Sequence, residues 1–272
     1  MSKIGVLYIC TGEYTVFWRE FYISAEQYFL KNSEVHYFVF TDAEKIEFQD
    51  VNPRIHVIYQ EGYGWPFSTL LRFSIFLNAR KDLQKCDYVF FFNANAKFVT
   101  PVDEEQFLPR SERGEELLVV RHPGFYNKKK YEYTYDRNPK CSAYIPYRKG
   151  DIYVCGGING GTTDAFLTMC DTLSRRINKD LEKSIIPEWH DESHINRYIL
   201  DRNDIRVLTP SFCYPEGWDL PFDCLILIRD KKNYININQL RKDAPETRIS
   251  FVYRVQNRIA RIVVRLLLLL KE

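Results

Sequence analysis

At 272 residues, 45% hydrophobic and 15% aromatic with 19 Tyr and 19 Phe, the chain holds enough apolar material for a sizeable core, which excludes a disordered protein. Its net charge of +2 is unevenly placed: residues 248–272 carry six Lys or Arg against one Glu, so the preceding 247 residues sum to about −3 and offer no basic body for nucleic acid. Seven scattered Cys (10, 86, 141, 155, 170, 213, 224) with no C-x-x-C pair and no zinc spacing read as reduced, mostly buried cytosolic thiols.

Met1–Ile9 is too short for a signal peptide, and the five leucines at 266–270 fall far below the roughly 20 residues that span a bilayer. Ile4–Cys10 reads as a first strand, and Thr11-Gly12-Glu13-Tyr14 as the turn leaving it. Such a strand-end turn in a sheet protein often meets a nucleotide, although one Gly is a weak signal. Phe17–Leu30 has a helical pattern, and Val35–Phe40 and Ile55–Tyr59 are the next strands, the former closed by Thr41-Asp42. Trp65–Ala79 is predicted as one helix with Pro66 in its first turn. Arg72 sits there among Leu70, Leu71, Phe73 and Phe76, so it either snorkels to solvent or meets an anion.

Asp87–Phe92 is a short aromatic and β-branched run, suited to a central strand covered on both faces. It ends in Asn93 and Asn95, spaced i, i+2 and therefore on one side of an extended chain. They are either ligand-facing amides at the carboxyl end of a strand or Asx turns that close it. Leu117–Arg121 is another strand, running into His122-Pro123-Gly124-Phe125-Tyr126. From Asn127 to Lys149 the chain is polar, rich in Tyr and Lys, and reads as a long excursion outside the core.

Ile152–Cys155 resumes the sheet and runs into Gly156-Gly157-Ile158-Asn159-Gly160-Gly161, where backbone or ligand approaches closely. Without G-K-[ST] this is no P-loop. Thr162-Thr163-Asp164 reads as the cap of a helix to about Lys179. Trp189-His190-Asp191-Glu192-Ser193-His194 opens a helix to Leu200; its H-D-E-S-H is not the H-E-x-x-H of a zinc protease. Ile205–Leu208 and Leu225–Ile228 are the last strands, followed by Arg229-Asp230-Lys231-Lys232. Strands alternating with helices over most of the length give an α/β class with a mixed sheet.

The C-terminal segment places Arg254, Arg258, Arg261 and Arg265 on one helical stripe, with Val and Ile on the remaining surface. The chain thus divides into a single domain over 1–245 and a basic amphipathic helix over 246–272. That helix is expected to lie on an anionic membrane surface; docking on another subunit or on the body of the protein is the alternative.

Four motifs then occur in one order and spacing: His122-Pro123-Gly124-Phe125-Tyr126, Ala143-Tyr144-Ile145-Pro146, Gly156-Gly157-x-x-Gly160-Gly161 and Trp189-His190-Asp191-Glu192-Ser193-His194. Together they resemble the retaining α1,3-galactosyl and N-acetylgalactosaminyl transferases of glycosyltransferase family 6, which include the histo-blood-group A and B transferases. The resemblance spans roughly Ile4–Lys232. Without a stem or anchor the chain resembles the bacterial branch, which implies a cytoplasmic enzyme, peripheral on the inner face of the membrane if the tail binds there.

The resemblance implies a GT-A fold, a UDP-sugar donor and an acceptor glycan bound alongside. Where most GT-A enzymes hold Mn²⁺ with Asp-x-Asp, this chain has Asn93-Ala94-Asn95. Neutral amides are poor ligands for a hard divalent cation, so the expectation is transfer without a metal or other cofactor. Ile9, Thr11 and Tyr14 match positions around the uridine. Arg72 matches a helix arginine near the donor phosphate and sugar, and Lys231, with Arg229 or Lys232, matches the basic segment that closes over the donor. Asn93 and Asn95 remain able to hydrogen-bond ribose or donor-sugar hydroxyls.

Cys155 and Gly157, with Gly156 between them, match the positions that separate A-type from B-type donors. Gly157 leaves room for an N-acetyl group and favours UDP-GalNAc over UDP-Gal. His122 and Trp189 match acceptor-binding residues, and a fucosylated galactoside is the expected acceptor. Asp191 is expected to orient the transferring sugar. Glu192 matches the carboxylate beside the anomeric carbon, either a nucleophile or the stabiliser of a same-face ion pair. The competing readings are the same scaffold using UDP-Gal, and a module that binds UDP-sugar without transfer.

Overall fold

The structure, a computed structural model, describes residues 1–237 and residue 240. The expected helix over 246–272 lies outside them. Among the described residues no helix is long and apolar enough to cross a membrane.

The core is a seven-stranded mixed sheet. Four parallel strands come first: β1 (Lys3–Ile9), β2 (Glu34–Thr41), β3 (Ile55–Tyr59) and β4 (Tyr88–Phe92). Beside β4 runs the antiparallel β7 (Val154–Thr162), then β6 (Leu117–Arg121) and β8 (Ile205–Leu208). The spatial order is β3-β2-β1-β4-β7-β6-β8, so β4 is central, as its apolar sequence predicts. A second, three-stranded sheet joins β5 (Ala96–Phe98), β10 (Ile226–Ile228) and β9 (Tyr214–Pro215).

Side chains alternate across β4, and both sides are buried. Phe90 and Phe92 pack with α1 (Trp18–Tyr28) and the short α5 (Glu104–Phe107). Val89 and Phe91 pack with α3 (Arg72–Leu77) and α6 (Thr163–Leu181) on the other face. Each fully buried Phe contributes roughly 1.5–3 kcal/mol of apolar transfer, which explains why this run carries no charge.

Three local expectations change. The strand expected over Ile152–Cys155 starts at Val154 and runs on through the glycines to Thr162 as β7. Phe90 pairs with Gly160, where a Cβ would overlap the Phe90 ring and the Val89 carbonyl, so glycine is what allows β7 to lie against β4. The helix expected over 65–79 is broken into α2 (Phe67–Leu70) and α3, with α4 (Arg80–Leu83) following. Leu71 interrupts it where Arg72 turns inward and donates its Nε–H to the Thr69 carbonyl at 3.1 Å. Thr162 sits at the N-cap of α6 without a capping hydrogen bond, while Thr163 donates to the Cys86 carbonyl.

The excursion at 127–149 has little regular structure, but it is not wholly outside a core. Tyr133, Tyr135 and Ile145 form a small buried cluster with Tyr153, Phe125 and Leu200. Two buried carboxylates fasten it. Asp180 of α6 accepts from Ser142 N and Oγ, and Asp136 accepts from Asn138 N and Glu188 N. The second bond ties the excursion to the segment carrying Trp189.

Candidate active site

The carboxyl ends of β1, β2 and β4 open onto one cavity of about 480 Å³, where an open α/β sheet is expected to bind its ligand. Ile9, Thr11, Tyr14, Arg72, Asn93 and Lys231 all line it, which brings together most of the proposed donor residues. Lys231 lies 5.1 Å from the centre of the Tyr14 ring, so the basic segment after β10 folds over the turn that leaves β1. The cavity also takes in Asp42, whose Oδ1 accepts from Gly12 N at 2.8 Å. Sequence reading saw Thr41-Asp42 only as a strand end; the rule that ligands gather beyond strand ends was the signal available.

Asn93 and Asn95 part company. Asn93 faces the cavity, and its backbone N–H donates to the Gly157 carbonyl at 2.8 Å. The chain turns immediately, with Ala96 N donating to Asn93 O, so the extended geometry that would align the two amides ends there. Asn95 is buried and donates its Nδ2 to the Arg229 carbonyl at 2.6 Å, while Arg229 N donates back to Asn95 O at 3.0 Å.

Arg229 is buried too. Its guanidinium donates to the Phe17 carbonyl, meets Glu20 at 3.1 Å and packs on the Phe17 and Tyr234 rings. These two residues form a latch beneath Lys231 and do not line the cavity. Cys155 likewise faces the core, beside Cys213. The two amides do not suit a hard divalent cation: both are neutral, and Asn95 is turned into the protein away from the cavity that Asn93 lines.

Arg72 connects the cavity to the carboxylates. Its guanidinium stacks 4.4 Å from the Phe91 ring centre, donates to the Gly156 carbonyl at 2.9 Å and stands 3.3 Å from Asp191 Oδ2. It is therefore an anion-facing arginine, not one that snorkels to solvent.

Asp191 and Glu192 occupy the first turn of α7 (His190–Ile199). Gly156 has to lack a side chain here, because a Cβ would sit 2.8 Å from Asp191 Oδ2 and 3.3 Å from Glu192 Cβ. Glu192 accepts from Tyr153 OH on Oε1 at 2.8 Å and from Gly156 N on Oε2 at 2.9 Å. Burial pushes the Glu192 carboxyl up to about 7, against the opposing pull of Gly156 N–H and Tyr153. Burial also raises Asp191 to about 6, opposed first by Arg72. Neither carboxylate lines the cavity; both stand behind Arg72, which does, and two adjacent raised carboxyls mark a candidate functional site.

His122 packs edge-to-face on the ring of Tyr153, 5.6 Å between centres. Its Nδ1 accepts from Gly124 N at 3.0 Å, and burial lowers its pKa to about 4, so at neutral pH the ring is uncharged with its proton on Nε2. Trp189, next to the first turn of α7, is 46% exposed. His190 packs edge-to-face on Trp65 at the cavity rim, whereas His194 is fully buried 3.8 Å from Asp180. The two histidines do not converge on a metal, and no cluster of three ligating side chains occurs among the described residues. Tyr153 was missed from sequence, because nothing local connects it to a carboxylate 39 positions away.

The sequence family described as Glycosyltransferase family 6 matches residues 2–242. The O-antigen biosynthesis glycosyltransferase WbnI of Escherichia coli is 36% identical over 229 residues, covering 84% of this chain and 95% of that protein. Histo-blood group ABO system transferase 1 of Rattus norvegicus is 28% identical over 242 residues, 86% of this chain and 68% of its own. Globoside alpha-1,3-N-acetylgalactosaminyltransferase 1 of Mus musculus is 28% identical over 244 residues, 88% and 68% respectively.

Proposed function

The chain belongs to glycosyltransferase family 6 and is a hexosyltransferase; from that premise we propose a retaining α1,3-N-acetylgalactosaminyltransferase. It moves GalNAc from UDP-GalNAc to the galactose of a Fucα1,2Gal acceptor, without a metal ion. The observation that carries this reading is the Asp191–Glu192 pair set behind Arg72, which lines the cavity, with Glu192 held by the Tyr153 hydroxyl and the Gly156 N–H.

In this reading UDP occupies the cavity between Tyr14, Thr11 and Lys231. As the bond from the anomeric carbon to the UDP oxygen breaks, the diphosphate gains charge, and Arg72 and Lys231 are the cations at hand. Asp191 orients the transferring sugar through its hydroxyls. Ionised Glu192 faces the anomeric carbon, as nucleophile or as ion-pair partner, and the acceptor hydroxyl passes its proton to the departing UDP or, in the covalent route, to Glu192. Metal independence rests on Asn93 and Asn95, which add no negative charge beside the diphosphate.

A galactose donor is the second reading, and one feature favours it. The space next to Gly157 is already bounded by the Asn93 amide, 2.8 Å from where a Cβ would stand, which leaves less room for an N-acetyl group. Radiolabel transfer from UDP-GalNAc and from UDP-Gal to 2'-fucosyllactose, each with EDTA and with Mn²⁺, tests both. GalNAc transfer that survives EDTA supports the proposal. Galactose transfer alone moves the donor assignment, transfer only with Mn²⁺ overturns the metal argument, and UDP-sugar binding without turnover supports a binding module.

A further inference from the structure

Glu192 has one donor on each carboxylate oxygen, and the two differ in kind. The Gly156 N–H belongs to β7 and comes with the strand. The other is a side chain, Tyr153, which is 1% exposed and lies just before the strand. Its ring is wedged between Phe125, 4.6 Å away, and Tyr135, 5.3 Å away, and meets His122 edge-to-face at 5.6 Å and 71°. A phenol oxygen lies on the axis of its ring, so a ring fixed by packing fixes its oxygen as well. The carboxylate 2.8 Å away takes its orientation from that oxygen.

We infer that Tyr153 is a positioning residue for sugar transfer: its hydroxyl holds Glu192 Oε1 and ties the reacting carboxylate to the acceptor wall built on His122. This rests on Glu192 acting at the anomeric carbon. Two effects follow from the bond. Glu192 cannot swing toward Arg72, and its ionised form is stabilised where burial opposes it. The other charged or titratable groups facing Glu192 are Asp191 beside it on α7, Arg72 from α3 and Cys213 after β8. Asp191 raises the Glu192 pKa, and the Gly156 N–H, the Tyr153 hydroxyl and Arg72 lower it, so the Tyr153 hydrogen bond is one of three contacts that favour the charged carboxylate.

Tyr153→Phe separates this role from packing, because the ring stays and only the hydroxyl goes. Steady-state rates of UDP release between pH 5.5 and 9, with UDP-GalNAc or UDP-Gal and 2'-fucosyllactose, give the readout, alongside UDP affinity and melting temperature. The acid limb of kcat is expected to move up by roughly one pH unit, with a loss at pH 7 of about fivefold that recovers at high pH. UDP affinity and melting temperature stay near wild type. An unmoved limb, whether kcat is normal or uniformly lower, overturns the inference. Glu192→Gln measured in parallel tells which premise failed: if it keeps normal turnover, the reading of Glu192 falls and the role of Tyr153 with it. If it is inactive while Tyr153→Phe keeps the wild-type profile, only Tyr153 is misassigned.

Discussion

Gly156→Ala is the sharpest perturbation of the site. The new methyl would stand 2.8 Å from Asp191 Oδ2, whereas ordinary carbon–oxygen contacts are about 3.3–3.6 Å, so strand or carboxylate has to yield by about 0.5 Å or more. Neither has an easy retreat. Asp191 is 2% exposed and faces Arg72, Glu192 Cβ closes the other side at 3.3 Å, and the Gly156 carbonyl and N–H are bonded to Arg72 and Glu192. Overpacking of this kind costs about 1–3 kcal/mol of stability. The displacement reaches both carboxylates and the arginine, so kcat is expected to fall by about 10².

Initial rates of UDP release, a thermal melt and UDP calorimetry on the variant separate these effects. Gly156→Ala/Asp191→Ala should lower the melting temperature by less than the two single changes summed, since the clashing oxygen is gone, without recovering turnover. A Gly156→Ala enzyme with wild-type kcat and melting temperature would refute the crowding argument.

Four further outcomes follow from the same geometry, and a fifth from the sequence of the tail. Glu192→Gln should lose most turnover and keep UDP affinity within a few-fold; near-normal turnover would remove its central role. Because the folded Glu192 carboxyl sits near 7 against an ordinary 4.5, the native state holds an extra proton between those values, and stability falls as pH rises through that window. Glu192→Gln should remove that decline, on the order of 3 kcal/mol, and a melting temperature equally pH-dependent in both proteins would contradict it. Gly157→Ala should displace the Asn93 amide and cut the preference for UDP-GalNAc over UDP-Gal at least roughly tenfold; an unchanged ratio of kcat/KM would exclude this position as the donor gate. Arg229→Ala removes the guanidinium from Phe17, Glu20 and the Tyr234 ring while the backbone bonds to Asn95 remain; it should cost about 3 kcal/mol and weaken UDP binding through Lys231, whereas an unchanged denaturation midpoint would show the guanidinium to be dispensable. Finally, the full chain should float with anionic liposomes better than a version ending at Pro245, and equal flotation would sink the membrane role of the tail.

The sequence by itself determined the layers. An uncharged aromatic run such as Tyr88–Phe92 has no stable place except the middle of a sheet, and the strand ends at Thr11, Asp42 and Asn93 then converge by the rules of parallel α/β packing. It also determined that Asp191 and Glu192 share the first turn of a helix, since that follows from spacing alone. Only the tertiary structure decided what each neighbour does. The i, i+2 rule puts Asn93 and Asn95 on one side of a strand, but a turn at residues 93–96 separates them, one to the cavity and one to the Arg229 latch. Glycine spacing suggested an approach of backbone or ligand; pairing with β4 accounts for Gly160, and the Asp191 carboxylate for Gly156. The carboxylate pKa values, the neutral His122 and the grip of Tyr153 on Glu192 all arise from burial and from contacts across tens of residues. Such contacts leave no local periodicity, because the field at a buried group is set by whatever the fold brings beside it.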